Sequence, residues 1–230
     1  MPRIALENDM TEIAGTIDHT LLSPLTTSGQ IERLCGEAGE WGFASVCIPP
    51  RYVPLAARCL SATPVAVGTV IGFPLGYVST RVKIFEVGEA VAAGAGEIDL
   101  VISLGDALEG KFDQIEAEIS GVVAVAGKAA VKVILECCYL DQSLKRQLAE
   151  MVVGSGARYV KTSTGFGTGG ADLDDVRLLC EVASGRIGVK ASGGIRDLAA
   201  CRNFLAAGAS RIGTSNGVAI MRQLRQKENP

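Results

Sequence analysis

Histidine and tryptophan are almost missing from this 230-residue chain, each appearing once, at His19 and Trp41, and aromatic residues make up only 5%. A lone histidine cannot supply a Cys/His zinc centre. The seven cysteines are odd in number and include no Cys-x-x-Cys pair, so neither a structural metal nor a disulfide framework is indicated. A surplus of one charge sign is also lacking: 22 Lys and Arg against 25 Asp and Glu give a net charge of -3. Without a general basic field, nucleic acid is not an expected partner. No stretch reaches the roughly 18 uninterrupted apolar residues of a membrane span. The opening residues carry Glu7 and Asp9 where a signal peptide needs an apolar core. A soluble, unprocessed protein of a reducing cytoplasm is therefore the expectation, with no membrane contact.

Linkers, charge runs and low-complexity segments are absent too, so a single domain over 1–230 is the simplest organisation. Present in excess is glycine, 28 residues spread along the chain, which suits many tight turns. A short polar helix is expected around Asp9–Ala14. Thr27 and Gln30 then form a capping-box pattern ahead of a helix whose face is Ile31, Leu34, Cys35 and Ala38. Short apolar runs suited to buried strands follow at Ala44–Ile48, Val65–Ile71, Glu97–Ser103, Ala129–Glu136, Arg158–Ser163, Ile187–Ser192 and Arg211–Ser215; Thr16–Leu22 makes an eighth. Amphipathic segments separate them, among them one with Phe112, Ile115, Ile119, Val122 and Ala126, and one N-capped by Asp141.

A weak repeat runs through this alternation. Five residues after a helix-ending glycine stand Cys47, Asp99, Lys132, Lys161, Lys190 and Gly213, after Gly42, Gly94, Gly127, Gly156, Gly185 and Gly208. A helix that ends on glycine and returns into a parallel strand after a fixed step is what a β/α repeat requires. Eight such strands predict an α/β fold, a single (β/α)8 TIM barrel with a short extra N-terminal helix, whose active site lies at the C-terminal strand ends. An open doubly wound sheet is the rival, and the first strand-to-helix turn lacks its Gly-x-Gly-x-x-Gly fingerprint. Side-chain alternation puts Asp99, Lys132, Lys161 and Lys190 on the interior face, opposite Ile98, Val131, Val160 and Val189, with Glu136 at the end of its strand.

Inward charges cost free energy unless they are paired. A structural ion network is one account of them. Three lysines among two carboxylates also leave a positive excess that, with desolvation, favours a neutral amine able to attack a carbonyl. The pattern alone does not choose between the lysines. Thr164-Gly165, Ser192-Gly193-Gly194 and Gly213-Thr214-Ser215-Asn216 follow the last three strands and offer unobstructed backbone N–H groups to a phosphate. His19 is expected as a hydrogen-bonded residue near strand 1, Asp18 as a positioning group, Cys47 as a pocket-facing thiol, and Phe73 and Phe166 as pocket walls.

These motifs, taken in order, resemble the deoxyribose-phosphate aldolases, the metal-independent class I aldolases of the DeoC type, over nearly the whole chain. The resemblance is carried by Ile17-Asp18-His19-Thr20-Leu21-Leu22, Val46-Cys47-Ile48, Gly72-Phe73-Pro74-Leu75-Gly76, Glu97-Ile98-Asp99-Leu100-Val101, Lys132-Val133-Ile134-Leu135-Glu136, Lys161-Thr162-Ser163-Thr164-Gly165-Phe166, Lys190-Ala191-Ser192-Gly193-Gly194-Ile195-Arg196 and Arg211-Ile212-Gly213-Thr214-Ser215. It implies reversible cleavage of 2-deoxy-D-ribose 5-phosphate to acetaldehyde and D-glyceraldehyde 3-phosphate without cofactor or metal. Lys161 matches the Schiff-base lysine, Lys190 the lysine that perturbs it, and Asp99 the acid/base. Gly165, Gly193, Gly194, Gly213, Ser215 and Asn216 would hold the phosphate, supported by Asp18, Lys132 and Thr164. The expected partners are a phosphosugar and aldehydes, with a homo-oligomer left open. Pro49, Ser103 and Asp172 depart from the family pattern, as does the lack of a tyrosine after Tyr159, and these are expected to bear on substrate fit. A different phosphosugar aldolase, an isomerase on the same barrel, and an inactive sugar-phosphate-binding barrel remain the alternatives.

Overall fold

A computed structural model describes residues 10–227, so Asp9 of the expected first helix and residues 228–230 lie outside the described residues. Helix α1 covers 10–14 and leads into strand β1 (Ile17–Thr20). There follow α2 (Ser28–Trp41), β2 (Ser45–Ile48), α3 (Val53–Cys59), β3 (Ala66–Ile71), α4 (Thr80–Ala92), β4 (Glu97–Val101), α5 (Leu104–Leu108), α6 (Phe112–Ala126) and β5 (Ala130–Ile134). The chain continues through α7 (Gln142–Gly154), β6 (Tyr159–Lys161), α8 (Leu173–Ala183), β7 (Gly188–Ser192), α9 (Leu198–Ala206), β8 (Arg211–Thr214) and α10 (Gly217–Lys227). All neighbouring strands are parallel, and β8 closes on β1.

The glycine repeat explains how six of the helices turn back. Gly42, Gly94, Gly127, Gly156, Gly185 and Gly208 all have positive φ, the left-handed conformation that ends a helix and that other residues adopt at a cost. Starts are set by side chains: Gln30 Oε1 accepts from the Thr27 N–H at 2.8 Å, and Asp141, Asp172 and Asp197 accept from backbone N–H groups in the first turns of α7, α8 and α9. The expected apolar stripe of α2, Ile31, Leu34, Cys35 and Ala38, is the buried one. The strands are shorter than expected at their ends. β6 stops at Lys161 because the Thr162 Oγ1 bonds to Ser192 O and the Thr164 N–H to Glu136 draw the chain into a loop.

Strand alternation then sorts the core. Ile98, Val131, Val160 and Val189 belong to the apolar layer between sheet and helices. The interior is filled largely by charged side chains where this fold ordinarily packs branched apolar ones. Among the described residues no helix is long and apolar enough to cross a membrane.

A buried ion pair outside the barrel ties α4 to α6 at the C-terminal end of β4. Lys83 on α4, fully buried, donates to Val101 O at 2.9 Å and to Glu118 Oε1 on α6 at 2.7 Å, and Thr80 Oγ1 completes the carboxylate at 3.2 Å. Replacing Lys83 by Met strands the Glu118 charge, and the expected loss is about 3–5 kcal/mol in urea unfolding. The double substitution Lys83→Met, Glu118→Leu should recover most of it, because no unpaired charge remains.

Candidate active site

Asp99, in the middle of β4, is the centre of the barrel interior. Its Oδ2 lies 2.7 Å from Lys161 Nζ on β6 and 2.7 Å from Lys190 Nζ on β7, while Oδ1 lies 3.1 Å from Lys132 Nζ on β5. Asp18 on β1 forms a second node: 2.5 Å from Lys190 Nζ, 2.9 Å from Lys132 Nζ and 2.6 Å from Arg211 Nη1, with Ser45 Oγ donating at 2.7 Å. Glu97 closes the network below, 2.5 Å from Lys132 Nζ and 3.1 Å from Arg211 Nη1. Arg211 also lies over the Tyr159 ring at 5.1 Å.

The sequence reading missed two members of this network. Glu97 and Arg211 share strand parity with Asp99 and Gly213, and that alternation was the signal for both. Glu136, expected among the inward charges, is elsewhere. It stands past the end of β5 at φ 54° and accepts from the Thr164 N–H at 3.1 Å and from Thr164 Oγ1. Its task is to hold the loop after β6.

Four cations therefore face three carboxylates, Asp18, Glu97 and Asp99. One positive charge is uncompensated in a dry interior, so the amine with the fewest carboxylate partners gives up its proton most readily. Lys132 has three such partners and Lys190 two; Lys161 has only Asp99. Burial pushes the Lys161 amine below its ordinary range. Asp99 opposes this and the Lys190 charge adds to it, leaving the amine lowered. Burial acts the same way on Lys190, but there Asp18 and Asp99 outweigh it and the group is raised. Lys132 is likewise held well above its ordinary value by Asp18, Asp99 and Glu97 against desolvation. Desolvation would raise Asp99, yet its three lysines hold it well below the usual carboxylate range, and Lys132, Lys190 and Arg211 do the same for Asp18.

Lys161 is also the lysine that meets a cavity. A recess of about 520 Å³ opens at the C-terminal strand ends, lined by Lys161, Thr164, Gly165, Ser192, Gly193, Gly194, Gly213 and Ser215. Lys190, wholly buried, does not line it. Phe166 forms part of its wall, edge-on to Phe73 with ring centroids 5.3 Å apart. Gly193 and Gly194 both have positive φ, and a Cβ on Gly193 would crowd Gly170, so backbone alone fits this corner. Arg196 joins the rim, a cation the sequence reading had only as part of a motif. A larger recess, about 790 Å³, lies at the other mouth beside Tyr159, Gly188 and Arg211, but no lysine reaches it.

Asn216 does not line the Lys161 recess. Its N–H donates to Thr214 Oγ1 at 2.9 Å as the chain turns into α10, and its side chain faces a separate recess with His19 and Glu37. His19 is the buried, hydrogen-bonded residue expected: Nε2 lies 2.8 Å from Glu37 Oε2, the ring packs on Phe43, and burial lowers its basicity. Cys47 Sγ lies 3.8 Å from Asp99 Oδ2, and burial beside that carboxylate pushes its thiol up to about 11. Pro49, Ser103 and Asp172 line no part of the cavity. Each occupies the N-cap position of a helical turn.

A family profile described as DeoC/LacD family aldolase matches residues 13–227. The chain belongs to that family. It is 55% identical over 210 residues to a protein of Syntrophotalea carbinolica named deoxyribose-phosphate aldolase, covering 91% of this chain and 95% of the relative. A Geobacillus protein of the same name is 50% identical, with 91% and 94% covered. The deoxyribose phosphate aldolase of Aeropyrum pernix, described as a unique tetrameric structure, superposes with a TM-score of 0.88 at 35% identity over 97% of both chains.

The unequal pairing of the two lysines makes a test. Replacing Lys190 by Met removes the positive neighbour that lowers Lys161 and leaves Asp99 less neutralised, and both changes stabilise the protonated Lys161 amine. The pH at which Lys161 becomes reactive should therefore rise, seen as an alkaline shift in the pH profile of aldehyde and borohydride modification.

Proposed function

We propose that this protein is a deoxyribose-phosphate aldolase that cleaves 2-deoxy-D-ribose 5-phosphate reversibly to acetaldehyde and D-glyceraldehyde 3-phosphate. The observation that carries the reading is that the lysine with a single carboxylate partner and a lowered pKa is the one that opens onto the glycine-lined cavity. The family and the named relatives point to the same reaction.

In the cleavage direction, the neutral Lys161 amine adds to C1 of the open-chain sugar and water leaves, giving a protonated imine. The C2–C3 bond then breaks, its electron pair flowing into the iminium to form an enamine while the C3 hydroxyl gives up its proton and becomes the aldehyde of glyceraldehyde 3-phosphate. Protonation of the enamine at C2 and hydrolysis release acetaldehyde and restore the amine. Asp99, acting through water, moves the protons. Its strongly favoured anionic form means that it holds such a proton only in passing and returns it to water. Lys190 stays charged between Asp18 and Asp99 and keeps Lys161 reactive; Lys132 holds both carboxylates in place. The phosphate rests on the backbone of Gly165, Gly193, Gly194 and Gly213 with Ser215, and Thr164, pinned by Glu136, positions the first of these.

Borohydride with acetaldehyde should add the two-carbon fragment to Lys161, identified by peptide mapping. Absence of an adduct, or an adduct confined to another lysine, contradicts the assignment. Lys161→Arg, which keeps the charge but cannot form the imine, should reduce turnover to background; an isomerase using the lysines only as clamps would keep measurable activity.

A further inference from the structure

The cavity runs from Lys161, where C1 must sit, to Gly193-Gly194, where the phosphate rests, and Ser192 stands between them in the chain and in space. It ends β7, two residues beyond Lys190 on the same strand face. A Cβ on the facing Gly213 would meet both Ser192 Oγ and Lys190 Cε, which places the hydroxyl on the barrel axis beside the lysine layer.

Ser192 is 5% exposed, lines the cavity, and its Oγ has no hydrogen-bond partner. The threonine hydroxyls there are occupied: Thr20 donates to Asp18 O at 2.8 Å, Thr214 to Ile195 O at 2.6 Å, and Thr164 to Glu136. Ser23 and Ser215 are exposed at the rim. Ser192 is thus the buried cavity hydroxyl with a proton still to donate, among the described residues. A buried hydroxyl left unpaired costs free energy, so a ligand oxygen that completes it is favoured.

We propose that Ser192 is a specificity residue that hydrogen-bonds the C4 hydroxyl of the sugar, the oxygen retained as the α-hydroxyl of the aldehyde acceptor. This rests on the aldolase reading above and adds to it how the enzyme tells a hydroxylated acceptor from a deoxy one. C1 is taken by Lys161 and the C5 phosphate by the glycines, so the hydroxyl carbon beside the phosphate-bearing one lies opposite Ser192. No carboxylate lines the cavity to take that role.

The test is the condensation of acetaldehyde with D-glyceraldehyde 3-phosphate and, separately, with 3-phosphooxypropanal, which lacks only the α-hydroxyl. In Ser192→Ala the ratio of the two kcat/KM values should fall by about tenfold, the loss falling on the hydroxylated acceptor, in line with rejection through a hydroxyl-specific contact. An unchanged ratio, or an equal fall for both acceptors, overturns the proposal while leaving the Schiff-base assignment standing. Borohydride trapping of acetaldehyde on Lys161, run alongside in wild type and variant, separates the two: its failure in the wild type overturns the parent reading and this one together.

Discussion

One carboxylate, Asp99, is held by three lysines in the middle of a closed barrel, and the rest of the site follows from how those lysines are otherwise paired. A charge this deep is tolerated only when its partners are in place. Here the partners number one too many, four cations to three carboxylates, so the interior is balanced when one proton is absent. Asp18 and Glu97 determine which one. By adding partners to Lys190, Lys132 and Arg211 they leave Lys161 the least supported, and the barrel geometry puts that same amine at the floor of the open cavity.

Much of this was legible in the chain before its structure. The step of five residues from a glycine to Asp99, Lys132, Lys161 or Lys190 reflects a physical requirement, a left-handed helix end followed by re-entry into a strand, and all six glycines of the repeat take the left-handed conformation. The inward parity of the charged residues follows from strand geometry alone. What strand parity could not convey was where each strand stops. Glu136 continues the alternation of β5 on paper, but the backbone has already left the sheet, and its carboxylate turns to Thr164. The same alternation extended downward would have included Glu97, and Arg211 at the start of β8, both of which help to set the charge balance.

The glycine-lined recess shows a similar limit. A run such as Gly213-Thr214-Ser215-Asn216 contains several possible donors, and only local hydrogen bonding shows which are used up: Thr214 Oγ1 takes the Asn216 N–H, and Asn216 does not line the recess. Ser103 and Asp172 are used at helix starts, their side chains accepting from the Asp106 N–H and from the Asp174 and Asp175 N–H groups. Backbone glycines, by contrast, keep their role from sequence to site because that role is conformational.

Two neighbouring buried lysines are driven in opposite directions by one carboxylate more or less. Nitrogen-detected NMR of the lysine side chains, assigned with single Lys→Arg variants, measures this directly in the ligand-free protein. Lys161 is predicted to titrate below an ordinary lysine, while Lys190 remains protonated beyond that range. A Lys161 that titrates at or above the ordinary value, or a Lys190 that loses its proton first, would contradict the account.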